Sequence, residues 1–163
     1  MQQLEQLKLT AQKLIDKELM VVTAESCTGG MISAACTNLA GSSQWFDRAF
    51  ITYSNNAKHE MLGVPMELIE AAGAVSMDVV KSMAKGAYNR AGKGKRIAIA
   101  VSGIAGPDGG SEDKPVGTVW FGYAHALGAG AHKLVFAGNR VQVRQQTVEK
   151  ALELIDSLIE DFA

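Results

Sequence analysis

Three segments of the chain combine nucleophilic or basic side chains with the turn residues that would expose them. The first is Glu25-Ser26-Cys27-Thr28-Gly29-Gly30, which sets a hydroxyl and a thiol just before a helix-patterned apolar run over 31–39. Backbone N–H groups at a helix start lack intrahelical partners and favour an oxyanion or a phosphate. Turn chemistry alone also allows Ser26 or Thr28 to be the helix N-cap, with the glycines serving tight packing. Cys27 alone reads as a small buried residue.

The second segment is Tyr53-Ser54-Asn55-Asn56-Ala57-Lys58. Lys58 falls in the first turn of a predicted helix, where the macrodipole opposes positive charge and lowers an ammonium pKa. A lysine tuned this way serves as a general base, while an untuned one is an ordinary exposed residue. Tyr53 stands at a strand end, placed either to donate to a substrate or to cover the sheet edge. The third segment, 103–117, holds five glycines and two prolines. A loop of that length between regular elements is a functional candidate.

Other chemistries lack their patterns. His59, His125 and His132 occur singly, outside any metal-ligand spacing, and Cys27 and Cys36 have no C-x-x-C partner, so neither a metal site nor a disulfide framework is expected. The stretch 86–93 fails the P-loop spacing, and Gly94 stands where Ser or Thr is required. A net charge of -1 with scattered Lys and Arg argues against a nucleic-acid partner. No long apolar run or signal-like leader is present, so no membrane association is expected and a cytoplasmic setting is.

The elements that must position these residues follow from periodicity. Leu4, Leu7, Ala11, Leu14 and Ile15 mark an N-terminal amphipathic helix. Strands are predicted at 20–24, 49–53 and 97–101, with helices over 31–39, 55–62, 65–72 and from an N-cap at Ser76 to about 91. A hairpin over 119–126 and 133–137 is predicted to turn at 128–130, followed by a long helix over 140–162. Strands alternating with helices and ending in a hairpin give an α/β fold, a three-layer α/β/α sandwich with a mixed β-sheet. The 163 residues suit one domain over 1–163. In such sheets ligands bind beyond the carboxyl ends of parallel strands, where all three segments would lie.

Five stretches in fixed order resemble the CinA C-terminal domain family: T-A-E-S-C-T-G-G at 23–30, W-F-D-R-A-F-I-T-Y-S-N-N-A-K at 45–58, G-A-V-S at 73–76, S-G-I-A-G-P-D-G-G at 102–110 and K-P-V-G-T-V-W at 114–120. The resemblance is to the stand-alone bacterial form and covers most of the chain. It implies the same sandwich, and hydrolysis of the carboxamide of nicotinamide mononucleotide to nicotinic acid mononucleotide and ammonia in pyridine nucleotide salvage, without a cofactor. Ser26 would be the acyl-accepting nucleophile, Lys58 its base, and Tyr53 a neighbour that positions the serine or relays a proton. Thr28, Gly29 and Gly30 would line the substrate, with turn N–H groups as oxyanion hole. Ser102, Gly103 and Gly106 belong to a stretch resembling the family's substrate loop, where threonine often replaces this serine.

Arg140 is expected either to pair with the substrate phosphate through its planar fork or to start a helix in solvent. At 138–140, G-N-R departs from the more usual G-D-R, which leaves the role of Asn139 open. A homodimer is the family habit. Longer members carry an N-terminal pyrophosphatase-like domain that this sequence lacks, so that activity is not expected. Two rivals remain: a non-catalytic nucleotide-binding module, and a cysteine hydrolase on Cys27 that would need a histidine base.

Overall fold

The alternation of large and small residues along the central strand dictates how the layers stack. The computed structural model describes residues 1–162. Its elements are α1 (Gln2–Asp16), β1 (Met20–Glu25), α2 (Met31–Thr37), a short 3-10 turn (Ser42–Gln44), β2 (Phe46–Ile51), α3 (Asn55–Leu62), α4 (Met66–Ala72), α5 (Met77–Arg90), β3 (Arg96–Gly103), β4 (Thr118–His125), β5 (Gly128–Val135) and α6 (Arg140–Ile159). The sheet order is β2-β1-β3-β4-β5, with β1 parallel to β2 and β3, and β3, β4 and β5 antiparallel in turn.

Ile97, Ile99 and Val101 of β3 enter one core with Leu14 of α1, Ile32 of α2 and Ile155 of α6. Ala98 and Ala100 enter the other, with Leu62 of α3, Ile69 of α4 and Met83 of α5. This is the predicted α/β/α sandwich with a mixed sheet, its central strands β1, β3 and β4 buried on both faces under the two helix layers. Small residues on the second face let α5 lie close: a Cβ on Gly122 would come within 2.5 Å of the Val80 carbonyl oxygen. No helix of the described residues is long and apolar enough to cross a membrane.

Several boundaries differ from the sequence expectation. β2 begins at Phe46 rather than 49, because charged Asp47 and Arg48 hide an edge strand that carries a register irregularity against β1. The hairpin turns at Ala126 and Leu127, with His125 opposite Gly128, so 128–130 are strand residues. Helix α2 is shorter than predicted, ending at Thr37.

The carboxyl ends of β1, β2 and β3 share one edge of the sheet. After β1 the chain enters α2 on the first face, and after β2 it enters α3 on the second. Loops diverging to opposite faces leave a crevice between them.

Candidate active site

Ser26 is held by both neighbours of β1. Its N–H bonds the Val101 carbonyl at 3.2 Å, and the Glu25 carbonyl accepts from Thr52 N–H at 2.8 Å. The chain then turns sharply through Gly29 (φ 57°) and Gly30 (φ 108°), a backbone only glycine adopts without strain. Gly29 and Met31 N–H bond back to the Ser26 and Thr28 carbonyls at 3.1 Å each. The start of α2 does not await a substrate anion, and neither Ser26 nor Thr28 caps it. The N-cap position is Gly30, and the buried Glu25 carboxylate accepts from Ile32 N–H at 2.9 Å, Ser33 N–H at 3.0 Å and Thr28 Oγ1 at 2.7 Å. A buried helix start needs a permanent acceptor, and the strand's last residue supplies it. The Thr28 hydroxyl, assigned to substrate from sequence, is thereby spent on Glu25.

Lys58 reaches the same place from α3, whose N-cap Ser54 accepts from Ala57 N–H at 3.0 Å. Its side chain is 1% exposed, and Nζ lies 3.0 Å from Ser26 Oγ and 3.0 Å from the Tyr53 carbonyl oxygen. Burial pushes the ammonium down from 10.5 to about 8. Tyr53 contributes through its backbone: the carbonyl also stands 3.4 Å from Ser26 Oγ, while the residue is 63% exposed and its phenol bonds Arg140 at 3.3 Å. The predicted approach of the phenol to the serine is therefore replaced by that of the carbonyl.

The thiol beside the serine is differently placed. Burial raises the Cys27 pKa from 9.0 to about 11, which keeps it a thiol at neutral pH. The histidines are engaged elsewhere: His59 with the Val64 carbonyl, His125 with Asp161, and His132 stacked on Phe121. Among the described residues no three His, Cys, Asp or Glu side chains gather as a metal site would require.

The glycine loop closes the third side. Arg140 donates to the Gly106 carbonyl at 2.8 Å, and Gly106 has φ 85°. Gly103 ends β3 against β4, where a Cβ would meet Val119 Cγ2 at 2.6 Å. Ser102, expected to face substrate, is 1% exposed and donates to the Ala74 carbonyl at 2.8 Å, tying the 73–76 segment to β3. Asn139 forms a reciprocal capping box with Gln142 at the start of α6, a role an aspartate would fill as well.

Two contributors escaped the sequence reading. Glu25 is one; Arg144 is the other, donating from α6 to the Cys27 carbonyl at 3.0 Å and the Thr28 carbonyl at 3.2 Å. Its position one helical turn after Arg140 was the available signal. Lys58, Arg140 and Arg144 form no salt bridge among the described residues. Three cations at one edge therefore face carbonyls and hydroxyls, an arrangement suited to an anionic ligand. A cavity of about 490 Å³ between α1 and α6, lined by Gln6, Thr10, Glu149 and Glu153 among others, offers no comparable nucleophile and base.

The nicotinamide-nucleotide amidohydrolase PncC of Enterobacter agglomerans is 55% identical over 134 residues, covering 82% of this chain and 80% of the relative. The protein of the same name from Escherichia coli strain K12 is 50% identical over 145 residues, covering 88% and 87%. The crystal structure of the competence damage-inducible protein A from Klebsiella pneumoniae subsp. pneumoniae MGH 78578 superposes with a TM-score of 0.91 at 35% identity, covering 98% of both chains. A profile of the CinA C-terminal domain matches residues 3–159, and on that span and these identities the chain belongs to the CinA C-terminal domain family.

Proposed function

We propose that this chain hydrolyses the carboxamide of nicotinamide mononucleotide through an acyl-enzyme on Ser26, with Lys58 as general base. The observation that carries the reading is the 3.0 Å contact between Ser26 Oγ and a buried Lys58 Nζ that no carboxylate holds protonated. The substrate class is that of the two relatives known as nicotinamide-nucleotide amidohydrolases. Arg140 and Arg144, which have no carboxylate partner, suit its phosphate, with Arg140 the more exposed of the two.

In the first half-reaction Ser26 Oγ attacks the amide carbon while its proton passes to neutral Lys58. The tetrahedral oxyanion takes hydrogen bonds from the Cys27 and Thr28 N–H groups, which join none of the turn's internal bonds. Lys58 then protonates the departing nitrogen, ammonia leaves, and an ester remains on Ser26. In the second half Lys58 takes a proton from water as the water attacks that ester. Nicotinic acid mononucleotide departs and Ser26 recovers its proton. That product re-enters pyridine nucleotide synthesis, which makes the reaction a salvage step.

Incubating the purified protein with nicotinamide mononucleotide tests this. Ammonia and nicotinic acid mononucleotide are expected in equal amounts, with an acid-quenched ester on the Ser26 peptide detected by mass spectrometry. A folded protein that releases no ammonia would overturn the reading. Full activity in Ser26→Ala would overturn its mechanism. A serine mechanism needs no Lewis acid, so EDTA is expected to leave the rate unchanged.

A further inference from the structure

Glu25 is buried, ionisable, adjacent to the nucleophile and unused by the mechanism above. We propose that Glu25 is a positioning residue: its carboxylate, spent on the start of α2, fixes the turn whose Cys27 and Thr28 N–H groups receive the oxyanion. The inference rests on the amidase reading of Ser26.

Burying a carboxylate is costly unless its lone pairs are filled. Here four donors fill them: Ile32 N–H, Ser33 N–H, Thr28 Oγ1 and, at 3.2 Å, Thr23 Oγ1. All four lie within residues 23–33, and the bonds from Ile32 and Ser33 to Glu25 enclose residues 26–31 in a hydrogen-bonded ring. Arg144 grips the same turn through the Cys27 and Thr28 carbonyls. A trans peptide points its N–H opposite its C=O. With the Cys27 carbonyl on Arg144, the Thr28 N–H is turned away from that guanidinium, toward the other side of the turn. Two charged side chains thus fix one peptide plane from outside, and neither needs to touch substrate.

The direction of Glu25 matters as much as its bonds. It points to the α2 side of β1, while Ser26 meets Lys58, which arrives from α3 on the opposite layer. The negative charge is absorbed by α2 and makes no ion pair with Lys58. A carboxylate one residue from the nucleophile therefore steadies the turn without holding the base in its charged form.

The test compares Glu25→Gln with wild type. The amide keeps the shape but loses the charge, and its NH2 faces a backbone N–H. The expected result is a fall in kcat of about 10²-fold, as for other small misplacements of catalytic donors, with KM little changed and the basic inflection of the pH profile staying where wild type has it. Labelling of Ser26 by a fluorophosphonate, scored separately, is expected to slow in parallel. Thr28→Val removes one donor while keeping the charge, and is expected to lower kcat by roughly tenfold. Wild-type kcat in a folded Glu25→Gln, or a shifted inflection showing that the carboxylate acts through Lys58, would overturn the proposal. Should Glu25→Gln not fold, Thr28→Val decides, and wild-type kcat there would overturn it. Ammonia release failing in a wild type whose Ser26 still labels would sink the amidase reading alone.

Discussion

The two edges of the sheet treat charge in opposite ways. At the amino edge the buried and half-buried ionisable groups bond one another: Asp47 accepts from both Arg48 and Arg96, and His125 donates to Asp161. At the carboxyl edge Lys58, Arg140 and Arg144 bond only carbonyls and hydroxyls. A paired buried charge is satisfied and inert, whereas a buried cation without a counter-ion is poised to lose its proton or to take an anion. The difference predicts where substitutions cost activity and where they cost stability.

The largest effect is expected at Ser26. Ser26→Ala should lower kcat by about 10⁴-fold or more, as removal of other hydrolase nucleophiles does, with circular dichroism unchanged. Cys27→Ala should keep most of the activity, since that thiol stays protonated. Equal damage from both changes in folded proteins would move the nucleophile to the thiol.

Lys58 comes next, and it separates activity from stability. Lys58→Met should be nearly inactive yet more stable than wild type at pH 7. The folded ammonium has a pKa of about 8 against 10.5 when exposed, so between those values the unfolded chain holds a proton that the folded one has released. Stability therefore rises with pH across that window, by roughly 3 kcal/mol if the whole shift is realised. The penalty is constant below it and gone above it. The advantage of Lys58→Met over wild type should shrink as pH approaches 10.5, and chemical denaturation at several pH values measures it. In wild type kcat/KM should rise with pH through about 8. Lys58→Arg should stay inactive throughout, because guanidinium does not give up its proton.

A smaller loss is expected at the mouth. Arg140→Ala removes the most exposed of the three cations and should reduce kcat/KM for nicotinamide mononucleotide about tenfold, the size of one charge-assisted bond. The riboside, which lacks the phosphate, should be almost unaffected. An unchanged ratio between the two substrates would take Arg140 out of the phosphate site.

Much of this contrast was legible in the residues. The strand and helix periods gave the sandwich, and the turn after β1 and the lysine after β2 fell on the same edge because parallel strands put them there. Side-chain partners were harder to read. Glu25 looked like part of the turn, because nothing in a local pattern says that a strand's last carboxylate caps a helix seven residues on. Ser102 kept the hydroxyl that a substrate loop would use, but the Ala74 carbonyl, just after α4, takes it. The glycines at 128–130 resembled a hairpin turn, whereas Gly130 is a strand residue facing Tyr123, whose hydroxyl would lie 2.7 Å from an added Cβ. Contacts made only in the folded chain decided each case, and local sequence pattern carries little of them.

The smallest effect on catalysis is expected from the amino edge, at His125. Its Nδ1 accepts from Leu127 N–H at 3.1 Å, so Nε2 carries the proton and donates to Asp161 at 3.0 Å. The ring stacks on Tyr123 at 5.7 Å and meets Phe162 edge-on at 5.0 Å. One imidazole thus ties the β4–β5 turn to the chain beyond α6. His125→Ala removes both hydrogen bonds and the ring, which should cost about 2–4 kcal/mol and several degrees of Tm. Asp161→Asn keeps an oxygen acceptor for Nε2 and should cost less. In both variants kcat, KM and the inflection from Lys58 should match wild type at 25 °C, because the group lies at the other end of β4 from the crevice and shares no partner with it. A tenfold loss of kcat in a folded His125→Ala would break the comparison: the amino edge would then be coupled to the reacting groups, and pairing of charge would no longer separate scaffold from chemistry.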